Sequence, residues 1–323
     1  MPLVSIIVPC YNSRPDLENL LNSIYASKGV SIEVLIVDNA SSDGTQDFIK
    51  KRYPEVRYIR NKQNKGYAGA INQGIVASSG EYIIACNADI IIKDNKALRK
   101  IVDFMEKNRE VGVVGTQLVC LNGKTQRSFG FIPGIFSSLI DLFYLTKIYD
   151  ILDKRKATLT SYLHFDKRSK RYIPGAFMTI RRECLEAVGL WDSSFFFYGE
   201  DVDFCFRVIK EGWKIVFLNE INIIHIGGTS SLKKDPRKYK ALQAIANIKF
   251  IEKYFGRIET RVYMLVRICY CISRLIINLP LLLLLVPLRY IAADLAISPN
   301  YRILCVLGEL GAYFTLIKEE YLK

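Results

Sequence analysis

The sequence has only two histidines, His164 and His225, no Cys-x-x-Cys pair, no low-complexity tract and no internal repeat. Without Cys-x-x-Cys spacing there is no zinc ribbon or dithiol redox motif to build on. Without a repeat, solenoids and propellers are excluded. Eight cysteines are present. Cys10, Cys86 and Cys205 sit inside apolar runs, so the set reads as buried thiols of a reducing compartment rather than as a disulfide framework. No secretory leader is expected either: the apolar stretch Val4–Val8 is short, lacks a basic lead and stops at Pro9. It reads as a buried strand, and the expected location is cytoplasmic. Acid is in deficit, with 45 Lys and Arg against 32 Asp and Glu and a net charge of +13. That balance suits anionic partners, whether nucleotide phosphates, lipid headgroups or nucleic acid, without choosing among them. Asn39-Ala40-Ser41 matches a glycosylation sequon, which short sequences produce often by chance.

What is present is a folded-protein composition, 50% hydrophobic and 24% charged over 323 residues. That length suits one large domain or a domain with an appendage. The first 120 residues alternate short apolar runs with amphipathic stretches. Strands are expected at Val4–Val8, Ile32–Val37, Val56–Ile59, Tyr82–Cys86 and Val111–Val114. Between them, helices are expected after Ser13-Arg14-Pro15-Asp16 and over Thr45–Tyr53, Tyr67–Ala77 and Asn95–Lys107. Continuous apolar strands separated by helices predict an α/β fold, a mostly parallel sheet with helices on both faces. Ligands bind such sheets at the carboxyl ends of the strands. Residues 121–172 are less regular and carry the basic stretches Lys154-Arg155-Lys156 and Lys167-Arg168-Ser169-Lys170-Arg171. These are either solvated loop or a landing site for an acidic acceptor or a membrane surface.

From about Tyr239 the chain changes character. An amphipathic helix is expected over Tyr239–Phe255, followed by the very apolar Val262–Ile297. Arg274 and Asn278 interrupt that run on one side, Pro287 and Arg289 on the other. The uninterrupted part falls short of the roughly 20 residues a spanning helix needs and has the length of an interfacial or re-entrant segment. Arg261, Arg267, Arg274 and Arg289 are placed to meet lipid phosphates while leucines enter the bilayer edge. An oligomer interface, or a helix packed on the first domain, is the alternative. The expected division is a catalytic domain over 1–235 (a nucleotide-binding half about 1–120, an acceptor-binding half about 121–235) and a helical, apolar C-terminal region over 236–323.

The candidate chemistry lies at strand ends. Asp38 closes the second strand, where a carboxylate can accept hydrogen bonds from a base or ribose, or simply cap a turn. Asp43-Gly44 reads as turn chemistry. The stretch Asn64-Lys65-Gly66-Tyr67-Ala68-Gly69-Ala70-Ile71-Asn72-Gln73-Gly74 puts glycines at a helix start, for close ligand approach or for packing. Asn87-Ala88-Asp89 follows the fourth strand and resembles a site for a hard divalent cation, Mg²⁺ or Mn²⁺, with Asp89 the direct ligand. Gly199-Glu200-Asp201-Val202-Asp203 gathers three acids behind the aromatic run Phe195–Tyr198. Close like charges raise at least one carboxyl pKa, as a general base requires, and one of the three is expected to serve the helix start instead. His225 ends the apolar strand Ile221–Ile226, before Gly227-Gly228-Thr229, where it can meet a metal or a diphosphate or be a structural histidine.

Taken together, these stretches resemble the family 2 inverting glycosyltransferases of the GT-A fold, most closely the rhamnosyltransferase-like branch. The matching elements are Val4–Asn12, Val34–Thr45, Asn64–Gly74, Asn87-Ala88-Asp89, Gly199–Arg207 and His225–Ser230, in the family's order. The resemblance implies roles. Pro9, Tyr11, Asn12 and Asp38 would contact the nucleotide; Gly66, Asn72 and Asn87 would help wall the sugar nucleotide. Asp89 would be the metal-binding acid of the DXD motif, whose first acid is here Asn87, and His225 would complete the metal site. Asp201 would be the catalytic base, Glu200 would bind or orient the acceptor, and Trp191 and Tyr198 would line its groove. The implied reaction moves a sugar, with inversion, from a nucleoside-diphosphate sugar (dTDP-rhamnose first, a UDP-sugar next) to a saccharide or polyprenyl-linked acceptor for cell-surface polysaccharide. The enzyme would sit peripherally on the inner face of the membrane, with a homo-oligomer possible. Nucleotidyl transfer has no use for Glu200-Asp201, and no basic Gly-rich nucleotidyl signature lies near the N-terminus. Nucleic-acid binding is disfavoured because the aromatics cluster near acids. A catalytically dead scaffold at the membrane is the remaining alternative.

Overall fold

The computed structural model describes residues 1–149, 151–152, 162–167, 170–227, 235–285 and 299–321. Lys154-Arg155-Lys156, Arg168-Ser169, Gly228-Thr229-Ser230 and the stretch 286–297 lie outside the described residues. The chain divides into two compact units, Met1–Ile132 with Leu152–Gly227, and Pro133–Ile151 with Gly228–Lys323.

The first unit opens with β1 (Leu3–Cys10), α1 (Arg14–Tyr25), β2 (Ser31–Asp38), α2 (Thr45–Arg52), β3 (Arg57–Arg60), α3 (Gly66–Ala77) and β4 (Tyr82–Cys86). All contacts among these strands are parallel, in the order β3-β2-β1-β4. Their apolar runs are buried because helices cover them: Leu17, Leu20, Leu21 and Ile24 of α1 recur at helical spacing and are all fully buried. Each side chain buried in this way contributes about 1.5–3 kcal/mol. Gly74 of α3 is a packing glycine, since a Cβ there would stand 2.2 Å from Ile7.

Next come β5 (Ile90–Ile91), α4 (Ala97–Lys107), β6 (Val111–Val119), β7 (Gly130–Phe131) and, in the other unit, α5 (Ile135–Leu142). Then follow β8 (Tyr162–Phe165), β9 (Arg171–Tyr172), β10 (Phe177–Arg181), α6 (Arg182–Val188), α7 (Glu200–Lys210) and β11 (Lys214–His225). The full sheet has nine strands in the order β3-β2-β1-β4-β10-β6-β11-β5, with β8 beside β11. The expected parallel strands are present, β3-β2-β1-β4 and β6-β11 sharing one direction, and antiparallel strands make the sheet mixed. β10 runs antiparallel to both β4 and β6, and β5 and β8 run antiparallel to β11. The central strand β10 is locked by Arg181, a buried cation that donates to Met105 O (2.6 Å) at the end of α4 and to Val111 O (3.1 Å) at the start of β6. A cation beside carbonyls at a helix C-terminus is favourable.

The reversal positions the site. Phe177 pairs with Cys86, so the amino end of β10 meets the carboxyl end of β4, and the segment just before β10 arrives at the ligand-binding edge. β11 runs parallel to β6 and delivers His225 to that same edge.

The second unit is helical, with α5, α8 (Pro236–Phe255), α9 (Arg257–Leu285) and α10 (Pro299–Tyr321). Asp235 caps α8 by accepting from Arg237 N (3.1 Å) and Lys238 N (3.2 Å). Arg267 of α9 donates to Asp141 of α5 (2.7 Å) and to Glu309 of α10 (2.7 Å), and Glu309 also accepts from Tyr313 (2.9 Å). No helix among the described residues is long and apolar enough to cross a membrane.

Candidate active site

The carboxyl ends of β1, β2, β4 and β11 and the starts of α3 and α7, all in the first unit, supply the candidate residues. Asp38 is 0% exposed. One carboxylate oxygen accepts from Ser41 N (2.9 Å) and the other from the Tyr58 hydroxyl. Around it the ends of β1 and β2 are stitched together: Asn39 N donates to Cys10 O (2.9 Å), Asn12 N to Ser41 Oγ (2.9 Å) and Ser42 N to Asn12 Oδ1 (2.8 Å). Asn12 and Ala40 take left-handed backbone conformations, φ 51° and 68°, the kind of strain that clusters at ligand sites. Pro9 is half-buried at the end of β1 and Tyr11 is 54% exposed just beyond it. Asn39 is buried and donates to Gly66 O (3.0 Å), so the sequon's amide is committed to the fold.

Gly66 needs to be glycine twice over. Its φ is +76°, and a Cβ would meet Phe196 O at 2.5 Å. Tyr67 N donates to that same carbonyl (3.3 Å) and the Tyr67 hydroxyl donates to Gly175 O (2.5 Å). Asn72 is spent on structure, with Nδ2 donating to Trp191 O (2.7 Å) and Oδ1 accepting from Trp191 N (3.0 Å). Trp191, expected along the acceptor groove, is 2% exposed and stacks on Phe204 with ring centroids 5.3 Å apart. Its ring also packs against Tyr67, with centroids 5.9 Å apart. Tyr198 is partly exposed, at φ 70°.

The helix α7 begins at Gly199, φ 86°, and carries Glu200, Asp201 and Asp203 in its first turn. An acid-rich first turn complements the helix dipole. The three acids then diverge. Asp203 is fully buried and ion-paired with Arg207 (2.9 Å), which also donates to Val188 O and Leu190 O (both 2.8 Å). It is the structural member. Asp201 accepts from Gly175 N (3.2 Å) and Val202 N (2.8 Å). Burial still outweighs these donors and pushes its carboxyl from 3.8 up to about 6. Glu200 is 7% exposed, its Oε2 has no hydrogen-bond partner among the described residues, and burial together with the Asp201 charge pushes it well above the usual carboxyl range. Tyr67 lies among these acids: burial first, then Cys86, Glu200, Asp201 and Asp89, hold its phenol well above the ordinary value.

Asn87 N donates to Ala176 O (2.9 Å), while Gly175 N reaches Asp201. The two residues before β10 thus link the Asn87-Ala88-Asp89 turn to the acid pair. β5 supplies the other link. Its Ile90 pairs with His225, and Ile226 N donates to Asp89 O (2.9 Å). Consequently His225 Nε2 stands 3.3 Å from Asp89 Oδ1, with Asn87 Nδ2 3.5 Å from the same ring nitrogen. Asp89 Oδ2 accepts from Gly227 N (3.1 Å).

This pair fits a hard divalent cation. The other ring nitrogen, Nδ1, faces Gln126 Oε1 at 2.9 Å, and when Nδ1 carries the proton a neutral ring turns a lone pair toward the Asp89 carboxylate. At 3.3 Å the ring nitrogen and the carboxylate oxygen are joined by a proton on Nε2 or by a cation between them. Adjacent ligands of an octahedral cation with bonds of about 2.1 Å lie about 3 Å apart. Among the described residues no group of three His, Cys, Asp or Glu is placed to hold a metal ion; a cation here would take one or two protein ligands and leave the rest to phosphate and water.

Two neighbours were not singled out in the sequence. Gln126 sits in a polar turn that carries no apolar periodicity. Asp16, in the first turn of α1, has its carboxyl raised by partial burial and then by the Asp89 charge, so it adds to the negative field at the site.

The fold and this edge of the sheet define a glycosyltransferase of GT-A type. The model of glycosyl transferase family 2 matches residues 5–189, and the chain belongs to that family and to its class of inverting enzymes. Among curated relatives, the N-acetylglucosaminyl-diphospho-decaprenol L-rhamnosyltransferase of Mycobacterium tuberculosis is 25% identical over 254 residues, covering 74% of this chain and 80% of the relative. The poly-beta-1,6-N-acetyl-D-glucosamine synthase of Staphylococcus epidermidis is 27% identical over 192 residues, 59% of this chain and 42% of that one. Among solved structures, the mannosyltransferase PcManGT from Pyrobaculum calidifontis, in complex with GDP-Man and Mn²⁺, is similar in fold. It shows a TM-score of 0.62 and 18% identity, over 100% of this chain and 88% of the other.

Proposed function

We propose that the chain transfers a sugar, with inversion, from a nucleoside-diphosphate sugar to a hydroxyl of a saccharide or lipid-linked saccharide in cell-surface polysaccharide synthesis. The observation that carries this reading is the bridge Asp201–Gly175–Ala176–Asn87, which holds a carboxyl raised to about 6 next to the turn bearing the Asp89–His225 pair. A base and a diphosphate site on one sheet edge are what single-displacement transfer requires. dTDP-rhamnose is the leading donor of this reading and a UDP-sugar the next; the rhamnosyltransferase and the polysaccharide synthase among the relatives support glycosyl transfer in polysaccharide synthesis.

In the proposed mechanism, Asp201 accepts the proton of the acceptor hydroxyl. With a pKa near 6 it is ionised at neutral pH yet basic enough to take that proton. Glu200, whose carboxyl burial and the Asp201 charge push well above the usual range, orients the acceptor through its Oε2. The attacking oxygen meets the anomeric carbon from the side opposite the leaving diphosphate, which inverts the configuration. Asp89 and His225 would hold Mg²⁺ or Mn²⁺; bound there, the ion neutralises the leaving diphosphate. Pro9, Tyr11, Asn12 and the turn after Asp38 receive the nucleoside. Asp38 itself, buried with both oxygens already engaged, holds that turn in shape.

A membrane surface is the proposed location. Ile258, Val262, Leu265, Ile272 and Ile276 recur along α9 and are all exposed, an apolar stripe beside Arg257 and Arg261. Such a helix lies in the interface instead of spanning it. This would place the enzyme on the inner face of the cell membrane, where a lipid-linked acceptor is met.

The test is nucleotide release from a panel of dTDP-, UDP- and GDP-sugars with Mg²⁺ or Mn²⁺, with and without membrane lipid extract. Asp201→Asn is run alongside. Release that depends on one donor, the metal, the extract and Asp201 supports the reading and identifies the donor. Nucleotide binding without release under every condition supports the scaffold instead.

A further inference from the structure

Gln126 makes two contacts with one residue. Its amide Nε2 donates to the backbone carbonyl of His225 (2.6 Å), and its Oε1 faces Nδ1 of the His225 ring (2.9 Å). The amide orientation follows from chemistry. A carbonyl oxygen only accepts, so the group facing His225 O is the NH₂, which also reaches Cys120 Sγ (3.2 Å). The oxygen is thereby left for Nδ1, and Nδ1 must carry the hydrogen. Gln126 is itself anchored: its N–H donates to Leu118 O (2.8 Å), and its carbonyl accepts from Ser128 Oγ (3.0 Å) and from Gln117 Nε2 (3.0 Å). Cys120 N to Lys124 O (2.8 Å) and Gly123 N to Cys120 O (2.9 Å) close the turn that carries it. The clamp is part of the fold of β6 and its following turn.

We propose that Gln126 is the positioning residue of the site: it fixes His225 as the Nδ1–H tautomer and turns Nε2 toward Asp89, where a divalent cation would bind. This rests on the reading of Asp89 and His225 as cation ligands. A ring that ligates through one nitrogen needs its other nitrogen donated to an acceptor, and loss of such a partner weakens metal affinity about 10–100-fold. A glutamine clamp differs from a carboxylate one in leaving the ligand set without an added charge.

The test uses the full chain labelled with ¹⁵N. With only two histidines, two imidazoles appear in long-range ¹H–¹⁵N spectra at pH 8, and His225→Gln assigns them. Without metal, the His225 ring is expected as the Nδ1–H form, and as a mixture in Gln126→Leu. Gln126→Glu keeps an acceptor opposite Nδ1 but sets its other oxygen against His225 O, so it is expected to restore the single tautomer in part. Free Mn²⁺ is then titrated by electron paramagnetic resonance in the presence of dTDP and, separately, UDP. Gln126→Leu is expected to weaken Mn²⁺ binding about 10–100-fold, Gln126→Glu to recover part of it, and Asp89→Asn to abolish it. An unchanged tautomer and unchanged Mn²⁺ affinity in Gln126→Leu overturn the proposal. If the wild type and Asp89→Asn bind Mn²⁺ equally poorly, the cation reading itself fails, and the tautomer spectra still decide what Gln126 does to the ring. Thermal unfolding of each variant separates either outcome from loss of fold.

Discussion

In the helical unit, Arg267 is surrounded by Asp141, Glu309 and Tyr313. Burial alone would lower its pKa, but Glu309, Tyr263, Tyr313 and Asp141 raise it well above the ordinary value. In the sheet unit, Glu200 and Asp201 stand next to each other, and burial drives both carboxyls upward. One unit neutralises its buried charge; the other leaves like charges in tension. The difference separates a structural use of burial from a chemical one, because a group with a displaced pKa is ready to exchange a proton and a fully paired group is not. Asp203 shows the contrast within one helix turn. Two positions after Asp201 and fully buried, it is held by Arg207.

The comparison breaks most visibly at Asp201. Asp201→Asn is expected to lower kcat about 10²–10⁴-fold, the span of general base catalysis, with nucleotide affinity retained by calorimetry. Arg267→Leu, the opposite experiment, leaves Asp141 and Glu309 without their cation. Chemical denaturation should show a loss of about 3–5 kcal/mol, the cost of breaking a buried pair from one side, with activity per folded molecule unchanged. Linkage sharpens the same contrast. Folding raises Asp201 from 3.8 to about 6, so the folded state binds this proton more tightly than the unfolded chain. The stability involved is complete below about pH 4 and is lost as pH rises through about 6. Asp201→Asn should therefore be more stable than wild type at pH 8, by on the order of 1–3 kcal/mol, and close to it at pH 4. Gly66→Ala must displace Phe196 O and hold a positive φ. It should cost about 1–3 kcal/mol and weaken donor binding more than it slows turnover. Smallest is the surface stripe. Leu265→Gln with Ile276→Gln should change stability by no more than about 0.5 kcal/mol while reducing cosedimentation with anionic vesicles.

How much of this was legible in the sequence differs between the halves of the sheet. β4 was readable to the residue, and β1 and β2 nearly so, because a strand buried on both faces is an uninterrupted apolar run between turn signals; β3, the half-exposed edge strand, shows only Tyr58 and Ile59 between two arginines. β5 has two residues, too few for any period, yet it brings Asp89 to His225. β10 is a five-residue strand behind a basic, irregular stretch, and its antiparallel direction is set by long-range pairing with β4 and β6 that local pattern does not encode. The acids of α7 were readable as a group. Their division into an exchanging pair and a structural member depends on Arg207, four residues on, reaching back to Asp203. Gln126 was invisible because a polar residue in a polar turn carries no signal until β11 arrives beside it.

The most direct test of the central claim is the pH dependence of kcat/KM from pH 4.5 to 8 with the donor that supports turnover. An ionised Asp201 acting as base predicts a rate that is level above about pH 7, bends near 6 and falls tenfold per unit below it. A profile flat down to pH 4.5 would contradict the account, since the reaction would then not depend on the buried carboxyl to which the structure gives its raised pKa.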